Sequence, residues 1–260
     1  MNETLNTQVQ KKLRKLYLKD MADYLEEALS RAQKDQSGHI AFLADLVERQ
    51  LRARNKRSLE KRLKAADFPR NMTFDKFDFN FQPSLNVEQL KDLMELSFVY
   101  NKQPLLIFGK TGCGKSHIAA ALGNLACREG LKVRFYSLHE ILTRLYRSLA
   151  DGTTDEMISV LSRLDLLIID NVSSIRTKPE YPSLLLDLIS YCHENTCFIV
   201  TSAISIESWG KALGDPVIIN AIIDRLLHHA HIINIRDGLS YRTEGPNAPK
   251  QLLSETASEP

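Results

Sequence analysis

The chain has 260 residues, of which 43% are hydrophobic and 25% are charged. This composition is ordinary for a globular protein and supplies enough apolar residues for a sizeable core. No apolar run approaches the roughly 18 residues of a membrane helix, and the polar first ten residues do not resemble a secretory signal peptide. The sequence therefore argues against a membrane protein and favours a cytoplasmic one.

The cysteines point the same way. Cys113, Cys127, Cys192 and Cys197 form no C-x-x-C pair. We expect them to be reduced, partly buried thiols, which agrees with a cytoplasmic location.

The net charge of +2 is unevenly distributed. Residues 1–70 hold 16 Lys and Arg against 10 Asp and Glu, a net +6, and residues 71–260 therefore carry −4. A basic front part on a mildly acidic body favours a polyanionic partner for the front part. We predict that residues 1–70 form a basic, all-helical N-terminal domain.

Two helices are predicted in this domain, over residues 3–33 and 39–66, with Ser37-Gly38 as the breaker between them. The second half of the second helix is dense in cations, and Glu60 is the only acidic residue within 49–64. Like charges one turn apart repel unless a partner neutralises them, so we predict contacts to DNA phosphates rather than to base edges. A solvated helix face or a protein-docking surface remains the alternative. The candidate DNA-binding residues are Arg49, Arg52, Arg54, Lys56, Arg57, Lys61, Arg62 and Lys64.

Residues 71–100 are predicted to connect this domain to the next one. Phe77, Phe79 and Phe81 alternate as they would on a strand or an extended segment. We favour docking of this segment onto the following domain, with a part in an adenine-binding wall as the alternative. A single helix is expected from Val87 to Tyr100.

A glycine-rich stretch follows the short apolar run 105–108 and precedes a helical pattern over 117–129. The stretch fits G-x-x-x-x-G-K-[ST], the phosphate-binding P-loop, and both flanks are those that the motif requires. Backbone N–H groups and a helix N-terminus then face the phosphates of a nucleoside triphosphate such as ATP. Lys115 should reach the β and γ phosphates, and the Ser116 hydroxyl should bind Mg²⁺. The candidate nucleotide-binding residues are Gly109, Lys110, Thr111, Gly112, Cys113, Gly114, Lys115, Ser116 and His117.

Four further apolar runs follow, with helical patterns between them at about 138–150, 155–163, 181–194 and 216–229. This alternation predicts an α/β fold with a parallel five-stranded sheet, flanked by helices, over residues 101–242. The strand-to-helix loops then open at the carboxyl edge of the sheet, where a ligand binds. Residues 243–260 are predicted to be a disordered tail. The runs cover 133–136, 166–169, 197–200 and 231–235.

Asp170 directly follows one of these runs, so it lies at the tip of a predicted strand. A P-loop needs an acidic residue at such a position to hold Mg²⁺ and its waters. We therefore assign Ser116 and Asp170 to the metal.

The residues beside this site predict slow hydrolysis. Asn171 can hydrogen-bond a water molecule but cannot accept its proton at neutral pH, and losing a general base typically costs about 10²–10⁴-fold in rate. At the tip of the fourth strand, Ala203 follows Thr201 and Ser202 and offers no polar group. Tight nucleotide binding with slow turnover is expected.

Arg225 lies late on the helix before the last strand. A surface or Asp-paired arginine and an arginine finger that reaches a neighbour's γ-phosphate both fit this position. The nearby His228, His229 and His231 match no strong zinc pattern, so we expect helix-end or core histidines.

With these residues placed, the chain resembles the IstB family of transposition helper ATPases, which are relatives of the DnaC-type helicase loaders in the AAA+ class. The resemblance implies an ATP-dependent protein, encoded by an insertion sequence, that assembles as a homo-oligomer on duplex DNA and stimulates an IstA-type transposase. It also implies that Arg225 is a finger contributed in trans and that the AAA+ lid is absent. The resemblance covers residues 38–242 and rests on 77–83, the P-loop, 165–170, 200–202, 224–229 and 240–242.

Two positions depart from the family pattern. Asn171 stands where the family usually has Glu or Asp, and Ala203 stands where it has the Asn that senses the γ-phosphate. Both bear on hydrolysis and neither changes the predicted binding of ATP and Mg²⁺.

Other functions remain open at this point. A DnaC-like helicase loader would use residues 1–66 to dock on a replicative helicase and would prefer single-stranded DNA. A protein that holds the nucleotide as a structural ligand would keep one assembly state with ADP and ATP. An inactive copy of the helper protein is a further alternative.

Overall fold

The structure, a computed structural model, describes residues 4–70, 72–173, 178–235, 238–241 and 243–244. The predicted disordered tail lies almost entirely outside the described residues. Among the described residues, no helix has both the length and the apolar character needed to cross a membrane.

The chain divides into two compact units, Met1–Lys61 and Arg62–Pro260. The helices are α1 Leu5–Lys15, α2 Lys19–Lys34, α3 His39–Ala66, α4 Val87–Met94, α5 Ser97–Tyr100, α6 Lys115–Arg128, α7 Leu138–Asp151, α8 Thr154–Leu161, α9 Tyr181–Cys192, α10 Trp209–Leu213 and α11 Pro216–Leu227. The strands are β1 Leu105–Gly109, β2 Val133–Ser137, β3 Leu166–Val172, β4 Cys197–Ser202 and β5 His231–Ile235.

The first unit contains α1, α2 and most of α3. The prediction of one helix over residues 3–33 is wrong, because the chain turns at Tyr17, which has a φ angle of +61°. The turn is closed by the Leu18 N–H, which donates to the Leu13 carbonyl at 2.9 Å. It lets Leu13 and Leu18 pack on one cluster, whose buried members are Met21, Tyr24, Leu25, Ala28 and Leu46. Burial of this shared cluster outweighs the local preference for a continuous helix.

The second unit is built on a five-stranded sheet in the order β2-β3-β4-β1-β5, with every neighbouring pair parallel. The predicted parallel sheet is therefore confirmed. Strands β1, β3 and β4 are almost entirely buried, as expected when helices cover both faces of a parallel sheet. All carboxyl ends lie at one edge of the sheet, which places the loop after β1 beside the tips of its neighbours.

One local prediction is wrong, and two local features were not predicted. The helix expected over 87–100 is split into α4 and α5 because Leu96 adopts a left-handed conformation with φ of +60°. The phenylalanine-rich connector has one 3-10 turn, Phe74–Lys76, and no strand within 72–86. The short helix α10 was not predicted.

The cysteine prediction is confirmed, because all four cysteines are free and buried. Burial raises the pKa of the Cys127 and Cys192 thiols to about 11, so both stay protonated at neutral pH.

Residues 62–70 and 72–77, which we call the strap, run antiparallel along α6. Near the end of α6, the Arg62 Nε donates to the Cys127 carbonyl at 2.8 Å. One turn earlier, the Asn124 Nδ2 donates to the Met72 carbonyl at 3.0 Å. The strap thus follows the helix that begins at the P-loop.

Gly123 marks the tightest point of this packing. A Cβ atom there would lie 2.8 Å from the Phe68 ring and 2.8 Å from Ile168 Cδ1. At this residue, α6 therefore packs closely against both the strap and the sheet.

The substitution Gly123→Ala should lower the free energy of unfolding by about 1–3 kcal/mol, because the added methyl group overpacks the site. Chemical denaturation measures the change. The matched control is the double variant with Phe68→Leu, in which the shortened side chain should recover part of the loss as a non-additive coupling. Strictly additive penalties would contradict the clash.

Candidate functional site

Residues 109–116 comprise the last residue of β1, the loop that follows it and the first two residues of α6. Gly112 and Gly114 have φ angles of +89° and +95°, a left-handed conformation that L side chains rarely adopt. A Cβ atom at Gly114 would lie 3.0 Å from the Phe77 ring, and one at Gly112 would collide with the Ser240 hydroxyl. Conformation and space therefore both require glycine at these two positions.

Lys115 lies at the centre of this loop and is only 7% exposed. Its Nζ donates to the carbonyl oxygens of Gly109 at 2.8 Å and Lys110 at 2.7 Å. These backbone carbonyls hold the buried Lys115 amine beside the N-terminus of α6, where an anion is favoured. The predicted phosphate-binding lysine thus lies where the loop can present it.

The other predicted nucleotide-binding residues differ in how deeply they are buried. Lys110 and Thr111 are exposed at its tip, and Cys113 is fully buried beneath it. Ser116 is half-buried on the first turn of α6. His117 lies against the strap, where its Nε2 is 2.8 Å from the Thr73 carbonyl oxygen.

Asp170 is half-buried at the tip of β3. The Thr201 hydroxyl, at the end of the neighbouring strand β4, donates to the Asp170 Oδ1 at 2.6 Å. This charge-assisted hydrogen bond fixes the carboxylate at the same sheet edge as the P-loop. A carboxylate and a serine hydroxyl are hard oxygen ligands of the type that Mg²⁺ takes, so Asp170 and Ser116 fit the predicted metal.

Asn171 follows on an irregular stretch, where the register between β3 and β4 shifts between Ile169 and Val172. Its φ angle is +64°, its side chain is exposed, and its N–H donates to the Thr201 hydroxyl oxygen at 2.9 Å. Asn and Asp tolerate this left-handed conformation better than Glu does. The backbone therefore restricts which residues can stand here.

A small cavity of about 100 Å³ opens beside the P-loop. Its aromatic walls come from the connector and from the segment after β5. The rings of Phe77 and His117 are 5.3 Å apart, and those of Phe81 and Tyr241 are 4.8 Å apart, both in edge-to-face geometry. Cys113 and Gly114 complete the cavity on the P-loop side.

Arg225 lies far from the P-loop, Asp170 and the aromatic cavity. It lines a separate cleft of about 720 Å³ together with residues that precede β1 and β4. Those residues, Gln103, Pro104 and Glu194, mark the amino edge of the sheet, opposite the P-loop. The Arg225 guanidinium donates to the Ala221 carbonyl at 2.9 Å. Within its own chain, Arg225 is therefore not part of the P-loop site.

His228 and His229 line the same cleft as Arg225, and His231 contacts Gln103, which also lines it. His231 Nε2 is 3.2 Å from Gln103 Oε1, and the rings of His228 and His229 pack against each other. No group of three metal-ligating side chains occurs in the described part of the chain.

A protein-family model described as IstB-like ATP binding protein matches residues 11–247, which include the P-loop, Asp170 and Arg225. The chain belongs to this family. Several relatives with similar sequences are described as putative ATP-binding proteins of insertion sequences. The ATP-binding protein of insertion sequence IS21 from Pseudomonas aeruginosa is 32% identical over 244 residues, 94% of this chain and 92% of that protein. The corresponding protein of IS5376 from Geobacillus stearothermophilus is 32% identical over 88% of this chain and 90% of its own length.

Solved structures support the fold. The DnaC helicase loader superimposes with a TM-score of 0.50 at 16% identity, covering 63% of this chain and 96% of that one. AMPPCP-bound DnaA from Aquifex aeolicus gives a TM-score of 0.55 at 18% identity, covering 74% and 62%. At these identities the likeness shows the fold alone. The predicted AAA+ type of P-loop fold is confirmed.

The cations of α3 in this IstB-like chain fall into three groups. Arg52 pairs with Glu48, Arg57 makes two hydrogen bonds to Asp20, and Arg49 lies over the Tyr24 ring at 4.9 Å. The Arg57 pair lowers the pKa of the Asp20 carboxyl. Arg62 belongs to the strap. The exposed remainder consists of Arg54, Lys56, Lys61 and Lys64.

Residues 238–241 are the part of the site whose place sequence reasoning missed. The Tyr241 N–H donates to the Gly112 carbonyl at 3.0 Å, and Ser240 lies against the same glycine. The sequence identified these residues only as a family block. Because β5 pairs in parallel with β1, the chain leaving β5 emerges beside the P-loop, and no local sequence pattern gives this pairing.

Lys115→Ala should weaken binding of a fluorescent ATP analogue by roughly 10–100-fold, because a hydrogen bond to a charged group contributes about 1.5–3 kcal/mol. The matched control is Lys110→Ala, which removes an exposed cation from the same loop and should cost less than about threefold. Equal losses in the two variants would contradict the central position assigned to Lys115.

Proposed function

We propose that this protein is the ATP-dependent, DNA-binding helper of an insertion sequence. In its ATP state it assembles on duplex DNA and stimulates a partner transposase of the IstA type. The observation that carries the proposal is the P-loop with Lys115 at its centre and the Asp170–Thr201 pair at the same sheet edge. Membership of the IstB-like family, with relatives encoded by insertion sequences, supports it.

The proposed roles at the site follow from its geometry. The P-loop backbone and the N-terminus of α6 hold the phosphates, and Lys115 exchanges its loop carbonyls for the β and γ phosphate oxygens. Ser116 and Asp170 would hold Mg²⁺, which would supply positive charge beside the phosphates. Thr201 keeps the Asp170 carboxylate oriented. The aromatic cavity beside Gly114 receives the base. The connector phenylalanines then form part of an adenine-binding wall, the alternative given above for this segment.

Hydrolysis is proposed to be slow. Asn171 presents no carboxylate to take a proton from the attacking water, and Ala203 presents no polar group at the tip of β4. The exposed side chain of Asn171 can still orient a water molecule. The ATP state is therefore long-lived.

A second protomer is proposed to complete the site. Arg225 lies at the amino edge of the sheet and its own P-loop lies at the carboxyl edge. An arginine in that position can reach a γ-phosphate only on another copy of the chain. This arrangement favours a homo-oligomer in which Arg225 acts in trans.

DNA contact is assigned to the exposed cations of α3. Arg54, Lys56, Lys61 and Lys64 carry no partner charge within hydrogen-bond reach in the described part of the chain, and they are suited to phosphates. Lys178, in the loop after β3, lies 3.5 Å from the centre of the Tyr146 ring. Arg176, in the same loop, is a further candidate for DNA contact and lies outside the described residues.

A helicase loader is the second candidate, because the DnaC helicase loader shares the fold. It predicts a preference for single-stranded DNA, whereas the insertion-sequence helper prefers duplex DNA. Competition between the two DNA forms in the presence of ATP separates these functions.

The substitution Asn171→Asp should raise ATP turnover at least tenfold, because it supplies the missing proton acceptor in a residue that tolerates the left-handed backbone. Phosphate release is measured with and without duplex DNA. Asn171→Gly is the matched control, since it suits the same backbone and carries no carboxylate. Brisk DNA-stimulated turnover in the unaltered protein would contradict slow hydrolysis.

Replacing Arg54 and Lys61 by Gln should weaken duplex binding uniformly across sequences and reduce the slope of log affinity against log salt by about 2. The matched control is Arg52→Gln, whose guanidinium already pairs with Glu48 and whose loss should change the slope by less than about 1. Fluorescence anisotropy over a series of salt concentrations measures both. An unchanged slope in the double variant would remove α3 from the DNA interface.

A further inference from the structure

We propose that the turn between α1 and α2 is a second contact to duplex DNA, in which the ring of Tyr17 stacks against bases and the lysines around it hold phosphates. The turn comprises residues 16–18. The proposal rests on the DNA binding proposed above and extends it to a part of the N-terminal unit that lies outside α3.

The backbone of this turn has a conformation that glycine normally adopts. The Tyr17 N–H donates to the Arg14 carbonyl at 3.0 Å, and the Leu18 N–H donates to the Leu13 carbonyl at 2.9 Å. This pair of hydrogen bonds forms a Schellman motif, in which the left-handed residue is usually glycine. Tyr17 is that residue, with a φ angle of +61°. The conformation is unfavourable for a tyrosine, because its Cβ atom crowds the backbone.

Burial of the ring does not offset this cost. Tyr17 is 91% exposed, more than any other large apolar or aromatic side chain in the described part of the chain. Leu96 is also left-handed, but its side chain is 2% exposed and packs in the core. Leu16, next to Tyr17, is exposed as well. An unfavourable backbone that holds an aromatic ring in solvent indicates a role for the ring in binding.

The surroundings of the ring are cationic. Residues 11–19 contain five cations and no acidic residue. Arg14 pairs with Asp23 at 2.7 Å. Three of the lysines are exposed, and no salt bridge engages them in the part of the chain that the structure describes. Positive charge of this density attracts a polyanion such as the DNA backbone. The three lysines are Lys12, Lys15 and Lys19.

An exposed aromatic ring among lysines suits a nucleic acid, because a base offers a flat π-face and the phosphates beside it offer negative charge. In a duplex the face of a base becomes accessible where a base step opens. Proteins that insert apolar side chains from the minor groove open a step in this way. Tyr17 and Leu16 lie side by side and are suited to this insertion, with the lysines on the flanking phosphates.

The test uses Tyr17→Gly, because glycine suits the left-handed backbone. The midpoint of chemical denaturation should not fall, since relief of strain offsets the extra freedom that glycine gives the unfolded chain. Affinity for duplex DNA in the presence of ATP should fall at least roughly fivefold. The slope of log affinity against log salt should stay the same, because the ring carries no charge. Fluorescence anisotropy over a series of salt concentrations measures affinity and slope.

A duplex with one mismatched base pair tests insertion directly. Opening a step costs less at a mismatch, so the unaltered chain should bind this duplex at least about threefold more tightly than the matched one. The variant Tyr17→Gly should lose this preference, and Tyr17→Phe, which keeps the ring, should retain it. The matched control is Tyr191→Ala, which removes an exposed tyrosine from α9 and should change neither affinity nor preference.

Unchanged duplex affinity in Tyr17→Gly would overturn the role of the turn and leave the DNA-binding function standing. Absence of duplex binding by the unaltered chain would instead refute the DNA binding proposed above and this contact with it. The rival role is docking of the turn on a second copy of the chain. Sedimentation velocity with ATP and without DNA detects that role, because a smaller assembly in Tyr17→Gly would assign the turn to a protein interface and overturn the DNA contact.

Discussion

The close approach of two distant chain segments to the P-loop backbone is the constraint on which the rest of this site depends. Phe77 lies against Gly114, and Ser240 lies against Gly112, so a side chain at either glycine would displace one of them. The Tyr241 N–H also donates to the Gly112 carbonyl. Phe77 and Tyr241 thus both contact the phosphate-binding loop and line the proposed base cavity. Changes in either segment should act on loop conformation and on base binding together.

Much of this architecture could be predicted from local sequence, and the reason is physical. The five strands are short runs of mostly apolar residues between polar segments, so β5 is found at its predicted bounds and the other four extend by one to three residues. The helix over residues 3–33 could not be predicted correctly, because the turn at Tyr17 depends on packing against Leu46, which is distant in sequence. The same limit applies to the site. The motif gave Lys115 and Asp170, whereas the contacts of Ser240 and Tyr241 depend on the pairing of β5 with β1.

The metal side of the site depends on one hydroxyl group. The Thr201 Oγ1 donates to the Asp170 carboxylate and accepts from the Asn171 N–H, so it ties the tip of β4 to both residues at the end of β3. This arrangement holds Asn171 in its left-handed conformation while Asp170 is oriented toward the loop edge. The residue at position 171 is therefore limited by backbone geometry as well as by chemistry. A proton acceptor at this position is best supplied by a short side chain.

The contacts between the strap and α6 determine where the chain can be joined to a relative's sequence in a chimaera. Although α3 is one continuous helix, Arg62 and the residues after it bind the P-loop helix, through the Cys127 carbonyl at one end and Thr73 beside His117 at the other. A chimaera that exchanges the N-terminal helices between relatives would have to join them before Arg62. A junction placed later, at the end of α3, would give the carboxyl end of α6 a foreign partner at the Cys127 carbonyl, while Met72 and Thr73 along the rest of the helix would remain the recipient's own.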